Sequence, residues 1–444
     1  MRSILVKTSL ILALPAVLGA PAAAEPVSAR PPAQIIAQAT QTRPAAEPQP
    51  RPGSLGARPQ GRGVVGVPAP DAPVKCVPPG GESIPAETIL QDLRAGKDVS
   101  LKGRIIVGSL DVDQAWPAAD ERRSTLRVVT GMLRLESCRI EGRVAFPRTI
   151  FAKGLNLACS EIRGDLDLSD TAVRDGFFAQ GARIGGEARL PRIDVSGTLS
   201  LTECKLEDRL DLSGARVTGA LNLDSGQFAR DIDISKAVVG NIDLSDARVA
   251  GRATVQDVLL LEGFEARDTV FVRGALLESV RIQGSFDLSG ASSDAGFAMT
   301  DCACGQDLLL DLATKGPIAL TGIDVGRDVT LLDGQFTAVT IDRMRIAARC
   351  EMDGARFTGK VVIRDSVLGK EFSAEETWFG GDSEFHRVRF PGVDPLEGAR
   401  FARAPSLVET VLPRPPTVIT DDESEGEGED VEGDTTDGGG DSPE

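Results

Sequence analysis

Residues 210–219 read LDLSGARVTG, residues 221–230 LNLDSGQFAR, residues 232–241 IDISKAVVGN and residues 242–251 IDLSDARVAG. Each copy runs apolar, any, apolar, two free positions, a small residue, any, apolar, then usually Gly near position 10. The first positions recur at a step of 11, from Leu133, Val144, Leu155, Leu166, Phe177, Ala188 and Leu199 through Leu210, Leu221 and Ile232. Apolar residues at positions 1 and 3, and again at 6 and 8, alternate with the period of a strand, and the unit leaves no room for a helix. Ser, Asp and Gly at positions 4 and 5, with Gly near position 10, are turn formers. One unit is therefore two very short strands and two bends, and two units make ~22 residues, about one coil of a parallel β-helix.

The register continues through Ile242, Ala253, Phe264, Ala275, Phe286, Phe297, Leu308, Ile318, Val329, Val339, Cys350, Val361, Phe372 and Ser383. That gives about 24 units, or roughly a dozen coils, and a rod of ~55–60 Å at ~4.8 Å per coil. Steps of 10 at Ile232–Ile242, Leu308–Ile318 and Val329–Val339 predict a shortened turn and a local kink or twist. A single unit buries about four side chains at ~1.5–3 kcal/mol each, against ~1.5 kcal/mol for ordering each residue. Only stacked units are stable, so stability is collective.

The 444 residues then divide by composition. Residues 1–24 read as a Sec signal peptide, with Arg2 and Lys7, an apolar Leu10–Leu18 core and Ala22-Ala23-Ala24 before Glu25. Residues 25–75 are rich in Pro, Ala, Gln and Arg, a composition that predicts disorder or partial polyproline II. Residues 76–132 should form an N-terminal cap and first coil, with Ser83 as helix N-cap, Pro85 in the first turn, apolar Ile89 and Leu93, and Gly96 as the stop. The stretch QAWPAADERRS around Trp116 interrupts the repeat and predicts a protruding loop. Residues 133–390 are the β-helix. Residues 391–417 lose the pattern, carry Pro391, Pro395 and Pro405, and should cover the last coil. Residues 418–444 are an acidic tail predicted to be disordered. Its last 24 residues hold 12 acids, which leaves only −5 of the net −17 for the rest. That balance argues against a nucleic-acid partner, which needs a basic footprint. No later stretch reaches the ~18 apolar residues of a membrane span.

Runs such as LDLSGARVTGALNLDSGQF at 210–228 resemble a divergent pentapeptide-repeat protein of the exported bacterial kind. The segment IPAETILQDLRAGKDVSLKGRIIVGSLDV at 84–112 is similar to the lead-in of many such proteins. The resemblance covers about residues 83 to 401 and implies a right-handed quadrilateral β-helix. The strict unit here is 5 + 6 rather than 5 + 5, which departs from square coils. The family is a scaffold class with no common active site. Some members are acidic DNA mimics that act on topoisomerases, a target an exported protein does not meet.

Candidate chemistry is sparse. The one histidine, His386, alternates outward, so neither a His triad nor a multi-His metal site fits within one chain. Of the seven cysteines, Cys138, Cys204, Cys302 and Cys304 fall on inward positions and read as buried thiols. Cys138 and Cys204 lie three coils apart, roughly 14 Å, beyond the ~7 Å limit for a bridge. Cys138 and Cys159 sit in adjacent coils but one position out of step. Cys76 and Cys350 complete the set, and most of the seven should be free. Arg163-Gly164-Asp165 spells an adhesion tripeptide, which Gly-rich turns with recurring acids produce by chance. Trp116 and Trp378 are the only aromatic platforms besides Phe. Position 2 of every second unit forms one outward column, Asn222, Asp243, Glu265 and Asp287, whose three acids form a speculative cation strip. The leading expectation is a non-enzymatic scaffold of the periplasm or cell surface, without cofactor, binding a protein or cell-wall component. The alternative is a carbohydrate-active β-helix enzyme, a polysaccharide lyase or hydrolase.

Overall fold

The computed structural model describes residues 76–116, 126–392, 394–412, 414 and 416–418. The expected signal peptide, the Pro-rich segment and the acidic tail beyond Val418 lie outside these residues. The fold is a parallel β-solenoid whose coils have four walls. One coil shows the plan: Leu155–Asn156 in the first wall, Glu161–Ile162 in the second, Leu166–Asp167 in the third and Ala172–Val173 in the fourth. Each pairs in parallel with the strand 22 residues on, Leu155 with Phe177, Glu161 with Arg183, Leu166 with Ala188 and Ala172 with Asp194. The second wall is a 16-stranded sheet and the third a 14-stranded sheet, while the first and fourth join in a 23-stranded sheet. Fourteen rungs at ~4.8 Å give a rod of about 60 Å.

The interior is filled by the positions the repeat marks. Leu210, Leu212, Ala215 and Val217 are buried, as are Ile232, Ile234, Ala237 and Val239 one coil on. In the second wall Phe336, Phe357, Phe379 and Phe401 stack rung on rung, with ring centroids 5.1, 5.0 and 4.5 Å apart. Phe264 stacks on Phe286 at 4.5 Å in the first wall, and small Ala253 and Ala275 complete the third wall beside them. A cavity of about 10 Å³ remains there, lined only by apolar side chains such as Phe264, Ala275 and Leu277. With no polar partner it stays dry.

The bends have their own chemistry. Position 5 is left-handed in nearly every unit, whether Gly214 (φ 70°), Asp246 (φ 57°) or Lys236 (φ 59°), with Leu312 the exception. Position 2 explains the recurring Leu-Asp-Leu-Ser. The Asp carboxylate accepts the backbone N–H of position 4, as in Asp167 with Ser169, Asp211 with Ser213 and Asp233 with Ser235, all at 2.9–3.0 Å. At the ten-residue step Ile232–Ile242 the corner is crossed without a break in the strand. Val238–Asp243 runs as one strand from the fourth wall into the first and pairs with Arg216–Asn222, with a register shift between Val217 and Ala220. Gly240 permits this, because a Cβ there would meet the Gly219 carbonyl oxygen at 2.5 Å.

Both ends correct the expectation. Ser83 is not a helix cap. Ser83–Pro85 is the first rung of the second wall, paired with Ile105–Val107. Helix α1, Ala86–Arg94, starts behind Pro85 without a side-chain cap, buries Ile89, Leu90 and Leu93 over the first coil, and ends before Gly96 (φ 74°). In the QAWPAADERRS stretch, Gln114 and Ala115 belong to a short helix, Val112–Ala115, and Trp116 packs partly buried on the core. Residues 117–125 lie outside the described ones. At the far end, residues 391–417 do not leave the coil to cover it. Arg400–Phe401 pairs with Trp378–Phe379, and Ser406–Val408 pairs with Glu384–His386. Thr417–Val418 adds one more rung to the second wall. Phe401 carries the Phe stack onward, and Pro391, Pro395 and Pro405 fall between strands, where a missing N–H costs no ladder bond.

Candidate functional site

The outward acid column is built as its register implies. Asn222 pairs with Asp243, Asp243 with Glu265 and Glu265 with Asp287 in the first wall. The carboxylates are already engaged. Asp243 and Asp287 each accept the N–H two residues on, from Ser245 and Ser289 at 2.9 Å. Arg267 forms an ion pair with Glu265 and lies 3.6 Å from Asp287. Beside the column, burial lifts the Asp224 carboxyl above the usual range, and the nearby Asp243, Asp246 and Glu203 charges add to it. Among the described residues no group of three or more His, Cys, Asp or Glu side chains is disposed to hold a metal ion.

The cysteines split into two kinds. Cys138, Cys204, Cys302, Cys304 and Cys350 are free and buried. Burial pushes the thiols up, that of Cys204 to about 12. Cys138 and Cys302 take the small position that Thr171 and Thr269 hold elsewhere. There the hydroxyls donate to carbonyls of the preceding coil, Phe146 and Leu244, at 2.6 and 2.7 Å. The other two form a disulfide, Cys76–Cys159, with Cα atoms 5.1 Å apart. Sequence reasoning did not pair them. The signal was that Cys159 alone sits at the left-handed turn position (φ 57°), facing away from the core. Gly181 is the same position one coil on, and a Cβ there would meet the Cys76 sulfur at 2.7 Å. The bridge ties the chain entering the solenoid lengthwise across the first coils, since Ser83 opens the second wall while Glu161 is four strands in.

His386 faces outward but is half-covered, between Arg364 and Val408 on neighbouring rungs. Its Nε2 lies 3.5 Å from the Glu384 carboxylate and makes no hydrogen bond. The Lys360 ammonium holds Glu384 below the ordinary carboxylate range. Arg163-Gly164-Asp165 serves the fold. The Asp165 carboxylate accepts the Glu187 N–H at 3.1 Å and an Arg189 guanidinium at 3.2 Å, both from the next coil. A Cβ on Gly164 would lie 3.0 Å from the Arg143 nitrogen. Trp116 is placed near α1, and Trp378 stands on the outer face of the second wall between Arg356 and Arg400. No helix among the described residues is long and apolar enough to cross a membrane. No protein-family model, curated protein or solved structure matches this chain.

Proposed function

We propose that this chain is an exported, non-enzymatic scaffold of the cell envelope, of the pentapeptide-repeat type, presenting a rigid outer surface to a protein or cell-wall partner. The observation that carries the reading is the filled interior. Side chains from Ala86 to Phe401 pack one continuous apolar core, so what the molecule recognises meets its walls. A ladder of this length holds outward residues at fixed ~4.8 Å spacing without further ordering cost. The Cys76–Cys159 bridge supports the export half, since disulfides persist in oxidising compartments.

Cell fractionation with thiol trapping tests this. The expected result is a chain in the exported fraction, with five trappable thiols after denaturation and seven only after reduction. A cytosolic chain with all seven thiols free would sink the export reading. Turnover of a polysaccharide by the purified chain would sink the non-enzymatic one.

A further inference from the structure

The second wall carries an outward constellation centred on one indole, set into a column where Arg recurs at Arg139, Arg183, Arg248, Arg356 and Arg400. Gln335, Arg356, Trp378 and Arg400 occupy one column on four successive rungs. Their inward neighbours Phe336, Phe357, Phe379 and Phe401 form the Phe stack, so the column stands on a continuous run of stacked rings. The adjoining outward column is Thr337, Thr358, Gly380 and Ala402, which are polar and small. The Trp378 ring extends over Gly380, where a Cβ would come within 2.8 Å of the indole Nε1. The glycine clears a bed for the ring, which remains partly exposed. Nearby cations are taken, Lys360 by Glu384 and Arg403 by Asp382. Arg356 and Arg400 are exposed and have no ion-pair partner among the described residues. The chain has a net charge of −17. Arg183 and Lys205 of the same wall also have no ion-pair partner among the described residues, and what sets this place apart from them is the indole between the two guanidiniums.

We propose that this face binds a uronate-containing glycan laid along the rod. The indole offers a flat apolar platform for the C–H face of a sugar ring. The two guanidiniums, two rungs or about 10 Å apart, offer planar forks that match carboxylates. The Thr337 and Thr358 hydroxyls donate to the Gly316 and Phe336 carbonyls, so their remaining lone pairs can accept from sugar hydroxyls. A nucleic acid fits less well, because its affinity depends on many cations and only two flank the indole. The proposal rests on the envelope-binding reading and names the cell-wall chemistry it would recognise.

The test titrates the full chain with decamers of galacturonate and mannuronate, following tryptophan fluorescence and calorimetry. Methyl-esterified decamers and a ten-nucleotide oligothymidylate serve as comparisons. The expected result is saturable binding of a uronate that changes fluorescence in wild type and in Trp116→Phe. Trp378→Ala should weaken binding about tenfold or more, and Arg356→Gln or Arg400→Gln several-fold, with the ester bound more weakly than the acid. The arginine variants lie wholly on the surface, so matching melting curves separate lost binding from lost fold. Failure of both uronates to bind at millimolar concentration overturns the proposal. So does binding that ignores Trp378→Ala and both arginine variants, or tighter binding of the oligothymidylate. Any of these leaves the envelope reading standing, because fractionation decides that separately. A cytosolic chain that still binds uronate at Trp378 would overturn the envelope reading alone.

Discussion

The third wall changes character halfway along the rod. Its first six rungs, from Leu110–Asp111 to Ile232–Asp233, are strands of two residues. The next seven, from Ala253–Gln256 to Ser383–His386, are strands of four. The inward residues do not differ in kind, since Leu166, Leu168, Ile318 and Leu320 are all buried. The difference is at outward position 2. In the first half Asp111, Asp167, Asp211 and Asp233 bend back to accept the N–H two residues on, which ends the strand. The two remaining rungs, at Ala145 and Arg189, end before Pro147 and Pro191, which have no N–H to give the ladder. In the second half position 2 is Thr254, Leu276, Ala298, Ala319, Thr340 and Val362 on six rungs and Glu384, paired with Lys360, on the seventh; none of them accepts the N–H two residues on, and the strand runs on. On this wall the Asp of each coil, where it is present and caps the turn, both ends the strand and charges the surface. The first half is a charged wall laced by Arg143, Arg189 and Arg209. The second bears an uncharged column six rungs deep.

If the difference is confined to the outer face, breaking the inner face should hurt both halves alike. Leu212→Asp and Leu320→Asp each place a charge in a core without a counter-ion, and each should cost at least about 4 kcal/mol. Chemical denaturation of the two variants measures this, and a much milder effect in one half would mean that its interior is not equivalent. Next in size is the covalent tie, which only the charged half carries. The Cys76–Cys159 bridge closes a loop over a sequence separation of 83. Cys159→Ser should lower stability by about 2–4 kcal/mol without reductant. Wild type in reductant should fall to the variant's level. A variant as stable as oxidised wild type would show that the long core alone holds the first coils.

The third measurement addresses the caps themselves. Asp211→Ala or Asp233→Ala removes a turn acceptor and should cost about 1 kcal/mol. Thr340→Ala, at the same position in the uncharged half, should stay within about 0.5 kcal/mol. Equal costs would remove position 2 as the origin of the difference between the halves.

Much of this was legible in the sequence because a repeat states its interior many times over. The inward positions, the pairing of Asp243 with Glu265 and Asp287, and the capping role of Ile89 and Leu93 all follow from spacing. What escaped depends on contacts the period does not encode. Cys76 lies before the repeat, so nothing placed it against Cys159. Phe401 hid behind prolines in loops of uneven length, although it stands 22 residues beyond Phe379. Arg356, Trp378 and Arg400 share that 22-residue spacing, yet outward residues vary too freely for the column to stand out until its neighbours are known. Arg267 was passed over because it lies in the bend rather than in the column whose acids it pairs. The turn-capping role of the acids was missed because an acid at an outward position satisfies a bare solubility argument just as well.

The smallest expected effect separates the halves by pH. Asp224 stands in the charged half, and its carboxyl is raised from the ordinary value of 3.8 first by burial and then by Asp243 and its other acidic neighbours. The folded chain therefore binds this proton more tightly than the unfolded chain. As pH rises from the ordinary value through the raised one, the unfolded state holds fewer protons and stability falls. Above that window the full penalty of a poorly solvated, repelled carboxylate persists. Asp224→Asn keeps an acceptor for the Ser225 hydroxyl, now 3.2 Å away, and removes the charge. At neutral pH the variant should melt above wild type. The gap should close as pH falls below the ordinary carboxylate value, where both side chains are neutral. Other carboxylates move the opposite way in acid. The Arg192 guanidinium holds Asp170 low, and the Arg387 guanidinium holds Asp365 low. Those losses are common to both proteins, so only the difference between them reports on Asp224. A gap that is constant with pH, or a variant less stable at neutral pH, would mean that the carboxylate is stabilised by its surroundings.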